Sequence, residues 1–391
     1  MTHSPNCDSK GFYISNGLAA FLFSSTGPVA IILSVAAAGG LSDQHVASWL
    51  FGGFGITSLF TLYFSLRYRQ PAVFVWTIPG TVLLASALDH LTFEEVVGAY
   101  LATAALVFII GRSGLVEKMM NLIPKPIVMA MVAGIFLDFG LGIIHAFDGA
   151  FWIAASMCTA FILTTLSPLG RIIPGILAAL VTGAIVVVAT DSLQSTAPLT
   201  SFITKPLWVT PSFTLSSMLE LVIPLAITVL VVQNGQGFAV IRHAGHTPPM
   251  NAMTMACGFG SVPLALVGSV TMCVGGPANA ILTASGKREY QYIGALTFGI
   301  LAFAFGLFSA SATWLALQLP LAYIAVLGGL AVWKVLESAF VAAFSAKDTA
   351  GPLLTLLVTV SDISIANIGA PFWALLLGGG LSWLMARSDN A

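Results

Sequence analysis

Two hydrophobic segments of this chain are interrupted in the same way. One reads Val75-Trp76-Thr77-Ile78-Pro79-Gly80-Thr81-Val82-Leu83-Leu84-Ala85-Ser86, the other Val274-Gly275-Gly276-Pro277-Ala278-Asn279-Ala280-Ile281-Leu282-Thr283-Ala284-Ser285. Each places proline beside glycine near the middle of an uncharged apolar run. Such a run must be buried in a bilayer, where backbone N–H and C=O groups have no water to bond and broken helices persist only inside protein or along a cavity. The chain is therefore limited to folds in which two broken elements are covered by others.

Composition agrees with a membrane setting. Hydrophobic residues make up 58% of 391, charged residues only 7%, and mean hydropathy is +0.97. Soluble domains carry roughly 25% charge. A helical span needs about 20 apolar residues, so the chain has room for about 14. No stretch is polar or long enough for a separate soluble domain. The cysteines Cys7, Cys158, Cys257 and Cys273 show no paired spacing, so neither a disulfide framework nor a metal cluster is expected. The polar start, Met1 to Lys10, has no cleavage-type pattern.

Apolar periodicity predicts spans at about 16–38, 46–66, 71–88, 94–111, 125–145, 150–167 and 171–190, then at about 218–238, 250–265, 268–285, 290–309, 320–344, 351–362 and 367–386. The third, tenth and thirteenth are short or broken. A polar connector, Thr190 to Ser217, separates the sets. The halves correspond: Ile123-Pro124 enters span 5 as Leu319-Pro320 enters span 12, and the doubled motif falls in the third element of each half. An odd number of spans per half turns the second half over. The expectation is an all-α polytopic protein of two inverted seven-span repeats, 1–190 and 218–391, joined by 191–217.

Basic residues test this order independently. With a cytoplasmic N-terminus, Lys10, Arg67, Arg69, Arg112, Lys118, Lys125, Arg171, Arg242, Lys287, Arg288, Lys347 and Arg387 lie inside, Lys205 lies outside, and Lys334 falls within a span. Twelve against one is a strong positive-inside bias and puts both termini in the cytoplasm.

Val73 to Thr77 is β-branched and aromatic, and Ser269 to Val274 also suits an extended segment. Each reads as a short strand followed by a half-helix starting near Pro79 or Pro277, because proline is tolerated in a helix's first turn. The two strands are expected to pair. Both half-helix N-termini then point at one cavity, each offering free N–H groups and about half a unit of positive charge. Such ends bind anions without a basic residue, and neither motif contains one. Paired broken spans of this kind mark the substrate site of secondary transporters.

Two more polar clusters face the same place. Span 1 carries Phe23-Ser24-Ser25-Thr26-Gly27-Pro28, and span 8 carries Gln233-Asn234-Gly235-Gln236-Gly237-Phe238. Ser24, Ser25, Thr26, Gln233, Asn234, Gln236 and Asn279 supply neutral donors. Thr77, Pro79, Gly80, Gly276 and Pro277 shape the half-helix starts, and Phe23, Trp76 and Phe238 supply an apolar wall. Amides and hydroxyls within aromatic walls suit a small planar monoanion. Each cluster has a plainer reading: a Gly-Pro kink whose hydroxyls bond back to their own helix, or amides that glue helices together. Asp138 in span 5 and Glu337 in span 12 are interior carboxylates and candidates for proton coupling. Glu337 is also placed to pair with Lys334 three residues earlier. Lys334 lies as far past Pro320 as Asp138 does past Pro124.

Ser65-Leu66-Arg67-Tyr68-Arg69-Gln70-Pro71, Trp76 to Gly80, Gln233 to Gly237 and Gly276 to Ala280 resemble the bacterial benzoate:proton symporter family, over nearly the whole chain. That family is in turn similar to uracil/xanthine permeases and sulfate-type anion transporters. The resemblance implies a core domain (about 16–111 and 218–309), a gate domain (about 125–190 and 320–386) and elevator-like movement of the core. It implies a multi-pass inner-membrane protein importing benzoate or a similar aromatic carboxylate with a proton, with no cofactor, metal or nucleic acid partner. A homodimer through the gate domain is one assembly open to it. Nucleobase permeases carry glutamates where Gln233 and about Asn279 stand here. Their loss fits a substrate that is itself a carboxylate and leaves the proton acceptor undetermined. A permease for a nucleobase-like ring or another small anion, and a passive anion conductor, are the competing functions. No HExxH, nucleophile elbow, phosphate loop or cysteine pair points to an enzyme.

Overall fold

The computed structural model describes residues 10–388 apart from 121–123, 169–173, 195–197, 200, 285, 346–347, 362, 364 and 366–367. Cys7, Arg171, Ser285, Lys347 and part of the connector therefore lie outside the described residues.

The helices are α1 (Lys10–Ala38), α2 (Asp43–Tyr68), α3 (Ile78–Ala87), α4 (Phe93–Ser113), α5 (Lys125–Gly149), α6 (Phe151–Leu166) and α7 (Gly175–Ala189), then α8 (Leu215–His243), α9 (Met250–Leu266), α10 (Gly276–Thr283), α11 (Gln291–Leu307), α12 (Leu321–Phe344), α13 (Ala350–Val360) and α14 (Ala370–Ser388). Short strands β1 (Phe74–Trp76) and β2 (Met272–Val274) precede α3 and α10. The element order matches the two inverted sets of seven read from the sequence. The thirteenth element is short, and the third and tenth are strand plus half-helix. Seven of the described helices are long and apolar enough to cross a membrane unaided. Two short helices, Val116–Met120 and Ser309–Leu317, were not anticipated.

β1 and β2 pair antiparallel, Phe74 opposite Val274, Val75 opposite Cys273 and Trp76 opposite Met272. The ladder continues at both ends, with Thr77 N–H donating to Thr271 O at 3.1 Å and Gly275 N–H to Val73 O at 2.9 Å. A two-stranded sheet inside a bilayer leaves two outer edges that water cannot serve. Neighbouring helices serve them. Thr61 Oγ1 on α2 accepts from Phe74 N–H at 2.9 Å, and Ser261 Oγ on α9 accepts from Met272 N–H at 2.8 Å. Thr61 Oγ1 donates to Thr57 O and Ser261 Oγ to Cys257 O, each four residues back. The second element of each half thus caps its own half's strand by the same device, as an inverted repeat requires.

The packing falls into two groups. Around the sheet, α1 packs on α3, α10 and α11, α2 on α11, α4 on α9, and α10 on the last part of α8. The α4–α9 crossing is close: a Cβ on Gly258 would lie 2.3 Å from Phe108 N, and one on Gly111 would lie 2.4 Å from Met255 N. Small residues let membrane helices approach this way. In the second group α5 packs on α12, α6 on α7 and α13 on α14. The groups meet where α1 touches α12, α3 touches α5, and α14 touches the start of α8. Part of the connector lies across helix ends, with Thr204 N–H bonded to Leu307 O, Val209 N–H to Leu266 O and Ser212 N–H to Glu94 O.

Candidate substrate site

The strand pair aims two helix N-termini at one place, and the two are not alike. At α3 the N-cap Thr77 is extended, and its Oγ1 accepts from Gly80 N–H at 3.2 Å. Thr77 Oγ1 donates in turn to Thr228 Oγ1 at 3.1 Å, and Thr228 donates to Leu225 O. This end is capped from within by its own threonine. At α10 the N-cap is Gly275, which has no side chain to cap with. Pro277 lacks an N–H, so Gly276 and Ala278 hold the first-turn donors left without an intrahelical partner. The anion-attracting end is therefore that of α10.

These elements enclose a cavity of about 30 Å3 lined by Phe23, Ser24 and Pro28 of α1, Val75, Trp76 and Ile78 around β1, Gln233 of α8, and Gly275, Pro277 and Ala278. No charged residue lines it. The volume suits about one or two waters, so any larger ligand requires the walls to part. Gln233 is carried here by a π-helical segment, Thr228–Asn234, whose wider turn shifts the side-chain register of α8. Trp76 is buried with its indole N–H lacking a partner among the described residues, an available donor beside the cavity. Its ring packs edge-on against Phe54 at 4.7 Å, and Phe54 against Phe305 at 4.6 Å. The sequence reading does not single out Phe54 or Phe305. Aromatic rings are common in membrane helices, and only the fold stacks these two behind Trp76.

The remaining expected residues divide. Ser25 and Thr26 bond back to carbonyls of their own helix, at Leu22 and at Leu22 and Phe23, so of the three hydroxyls only Ser24 lines the cavity. Asn234 Oδ1 accepts from Val274 N–H at 2.8 Å, and Asn279 Oδ1 accepts from Val73 N–H at 3.1 Å while its Nδ2 donates to Gly275 O at 2.8 Å. Both amides hold strand backbone. Phe238 is buried in a separate apolar cluster with Phe64 and Phe74. Gly80 packs against α8, where a Cβ would lie 2.9 Å from Leu225. Pro79 sits in the first turn of α3, as expected, and Gln236 is exposed against Gly276.

The two coupling candidates lie away from the cavity. Asp138 is exposed in a cleft of about 240 Å3 between α3, α5 and α13 that also holds Ser86, Asp89 and Thr359. Glu337 is 3.1 Å from Lys334, both largely exposed. A third carboxylate drew no expectation: Glu220, near the start of α8, is buried against His90. Its signal in the sequence is a glutamate just inside the boundary of span 8.

A family model described as "Benzoate membrane transport protein" matches residues 8–384. The chain belongs to the benzoate membrane transport protein family. Its relatives include inner membrane protein YdcO of Escherichia coli (strain K12), 28% identical over 371 residues, covering 93% of each chain. The benzoate membrane transport protein of Acinetobacter baylyi (strain ATCC 33305 / BD413 / ADP1) is 28% identical over 380 residues, covering 93% of this chain and 92% of that one. Among solved structures, the transmembrane domain of the cyanobacterial bicarbonate transporter BicA superposes with a TM-score of 0.66 at 14% identity, over 96% of this chain and 98% of that one. Murine Slc26a9, an anion transporter in the inward-facing state, gives 0.65 at 12% identity, over 99% and 70%. This member of the benzoate transport family thus has the inverted-repeat fold of those anion transporters. It is a membrane transport protein.

Proposed function

We propose that this protein imports benzoate or a similar small aromatic carboxylate across the bacterial inner membrane together with a proton. The observation that carries the reading is the uncapped N-terminus of α10, opening on an uncharged cavity beside Gln233 and the partnerless indole N–H of Trp76. A carboxylate there meets a partial positive charge and neutral donors. The aromatic ring lies against Trp76 and Phe23. Family membership and the A. baylyi relative's description support the substrate class.

The transport step we infer is a sliding of the group around the sheet, about 16–111 and 218–309, against the group about 125–190 and 320–386. The packing supports it, because both half-helices sit in the first group. The cavity is too small for the substrate in the closed arrangement, so the walls must separate in each cycle. Both termini face the cytoplasm in this reading, and the connector faces outward.

Radiolabelled benzoate uptake into proteoliposomes, with and without an inward proton gradient, tests the reading. Accumulation that collapses with a protonophore and is inhibited by other aromatic acids, but not by uracil, is the expected result. Uptake indifferent to the gradient would make the protein a passive conductor. Inhibition by uracil rather than aromatic acids would favour a nucleobase-type permease.

A further inference from the structure

Glu220 is 3% exposed, and its Oε2 lies 2.9 Å from His90 Nε2, with the imidazole 24% exposed. Glu220 belongs to α8 and lies within a π-helical segment, Met218–Val222. His90 lies in the turn between half-helix α3 and α4. The other carboxylate oxygen faces α14: a Cβ placed on Gly369, just before that helix, would lie 2.6 Å from Oε1. The pair therefore belongs to the group around the sheet, and the start of α14, from the other group, closes over it. Only a residue without a side chain allows that approach.

The surroundings are acidic. Asp89 precedes His90, Glu94 and Glu95 start α4, which packs on the same part of α8, and Glu95 is close enough for His90 to influence its carboxylate. The segments 89–95, 212–222 and 368–375 contain no lysine or arginine, and α14 has no ionisable residue before Arg387. With a neutral imidazole and an ionised carboxylate the pair has a net charge of −1. One added proton makes it neutral. Closing α14 over a buried net charge costs more than closing it over a neutral pair. A carboxylate buried in a membrane protein is by default a candidate functional site, and π segments often mark functional sites.

We propose that His90 and Glu220 form the outer proton-binding site of the transport cycle, loaded from the external solution as the seam at Gly369 closes. The inference rests on the proton-coupled reading of the cavity. It places the proton away from the substrate, which explains how a site without any acid in its walls can still be coupled. It also keeps the charge of the moving group constant: substrate anion with neutral pair on the way in, empty site with anionic pair on the way back. One proton and one carboxylate then cross together without net charge.

The test is uptake into proteoliposomes as external pH is lowered at fixed internal pH, corrected for protein-free vesicles, with proton movement followed by a trapped pH dye. Wild-type uptake is expected to rise up to about tenfold per pH unit where one proton is limiting. Glu220→Gln, neutral at every pH, should respond less than about twofold and lose substrate-driven proton movement, while benzoate counterflow persists. Glu220→Asp and His90→Asn are the second variants if Glu220→Gln does not reach the membrane. The first is expected to shift the pH profile and the second to flatten it. A wild-type profile unchanged in these variants overturns the site and leaves coupling intact. A wild-type protein that moves no protons overturns the coupled reading and the site with it.

Discussion

Asn279 reaches from the first turns of α10 to the backbone of Val73, accepting its N–H at 3.1 Å, and donates to Gly275 O at 2.8 Å. One amide therefore ties β1, β2 and α10 together in the middle of the fold. Its position after Pro277 suggests a ligand donor. Its hydrogen bonds show a clamp, and both ends of the amide are used.

Asn279→Ala should therefore act on folding before it acts on binding. It leaves the buried Val73 N–H without that partner, at about 1–3 kcal/mol, while Gly275 O keeps the backbone N–H of residue 279. The expected outcome is a lower unfolding temperature in detergent and reduced yield. Asn279→Asp keeps the acceptor but loses the donor and buries a charge, so it should be worse. Wild-type melting in both variants would contradict the clamp.

Gln233 is different, because it lines the cavity. Gln233→Asp would put a carboxylate beside the substrate's. Two like charges at about 4 Å repel by about 4 kcal/mol at an effective dielectric of about 20, enough to weaken binding by about a hundredfold or more. Isothermal titration or competition uptake with benzoate reads this directly. Affinity within about threefold of wild type would remove Gln233 from the site.

Asp138 is exposed in the cleft beside Asp89 rather than sealed in the interior. Asp138→Asn is expected to keep pH-gradient-driven accumulation, unlike Glu220→Gln. Loss of accumulation with counterflow retained would transfer the proton role to Asp138.

On the loop after α8, His246 Nε2 is 2.8 Å from Gln291 Oε1, and Gln291 in turn bonds the end of α10 at Thr283 O. Burial lowers the His246 pKa below 6.5, opposed by the Gln291 hydrogen bond and aided by nearby Arg288. The fold thus favours neutral imidazole. Its contribution is present above pH 6.5 and is lost as pH falls below that value towards the lowered folded pKa. Melting of wild type should drop more between pH 7.5 and 5.5 than melting of His246→Gln. Parallel pH profiles would count against the assignment.

The connector should be reachable from outside. A cysteine replacing exposed Trp208, in a background without the native cysteines, is expected to react with an impermeant maleimide in intact cells. Protection there, with labelling only after lysis, would invert the topology.

Span order, the inverted repeat and the two strand-plus-half-helix elements were legible in the sequence because each follows from local chemistry. Apolar run length sets a span, proline fixes where a half-helix starts, and the β-branched and aromatic run at Val73 to Trp76 precedes the first. The neighbourhood of the site was legible for the same reason, since polar residues inside apolar spans are few. Which of them face the cavity was not. Ser24 and Ser25 are adjacent in sequence, yet only Ser24 lines the cavity, and a π-helical turn sets the direction of Gln233. Phe238 has the composition of a ring-stacking residue, but helix rotation buries it in another cluster. Glu220 and His90 are 130 positions apart, and nothing local links them. Helix rotation, strand register and the approach of distant segments are decided by packing across the whole bilayer-embedded fold. Only tertiary structure could show that the amides of Asn234 and Asn279 hold backbone, and that of the two half-helices α3 is capped by its own threonine whereas α10 has no side-chain cap.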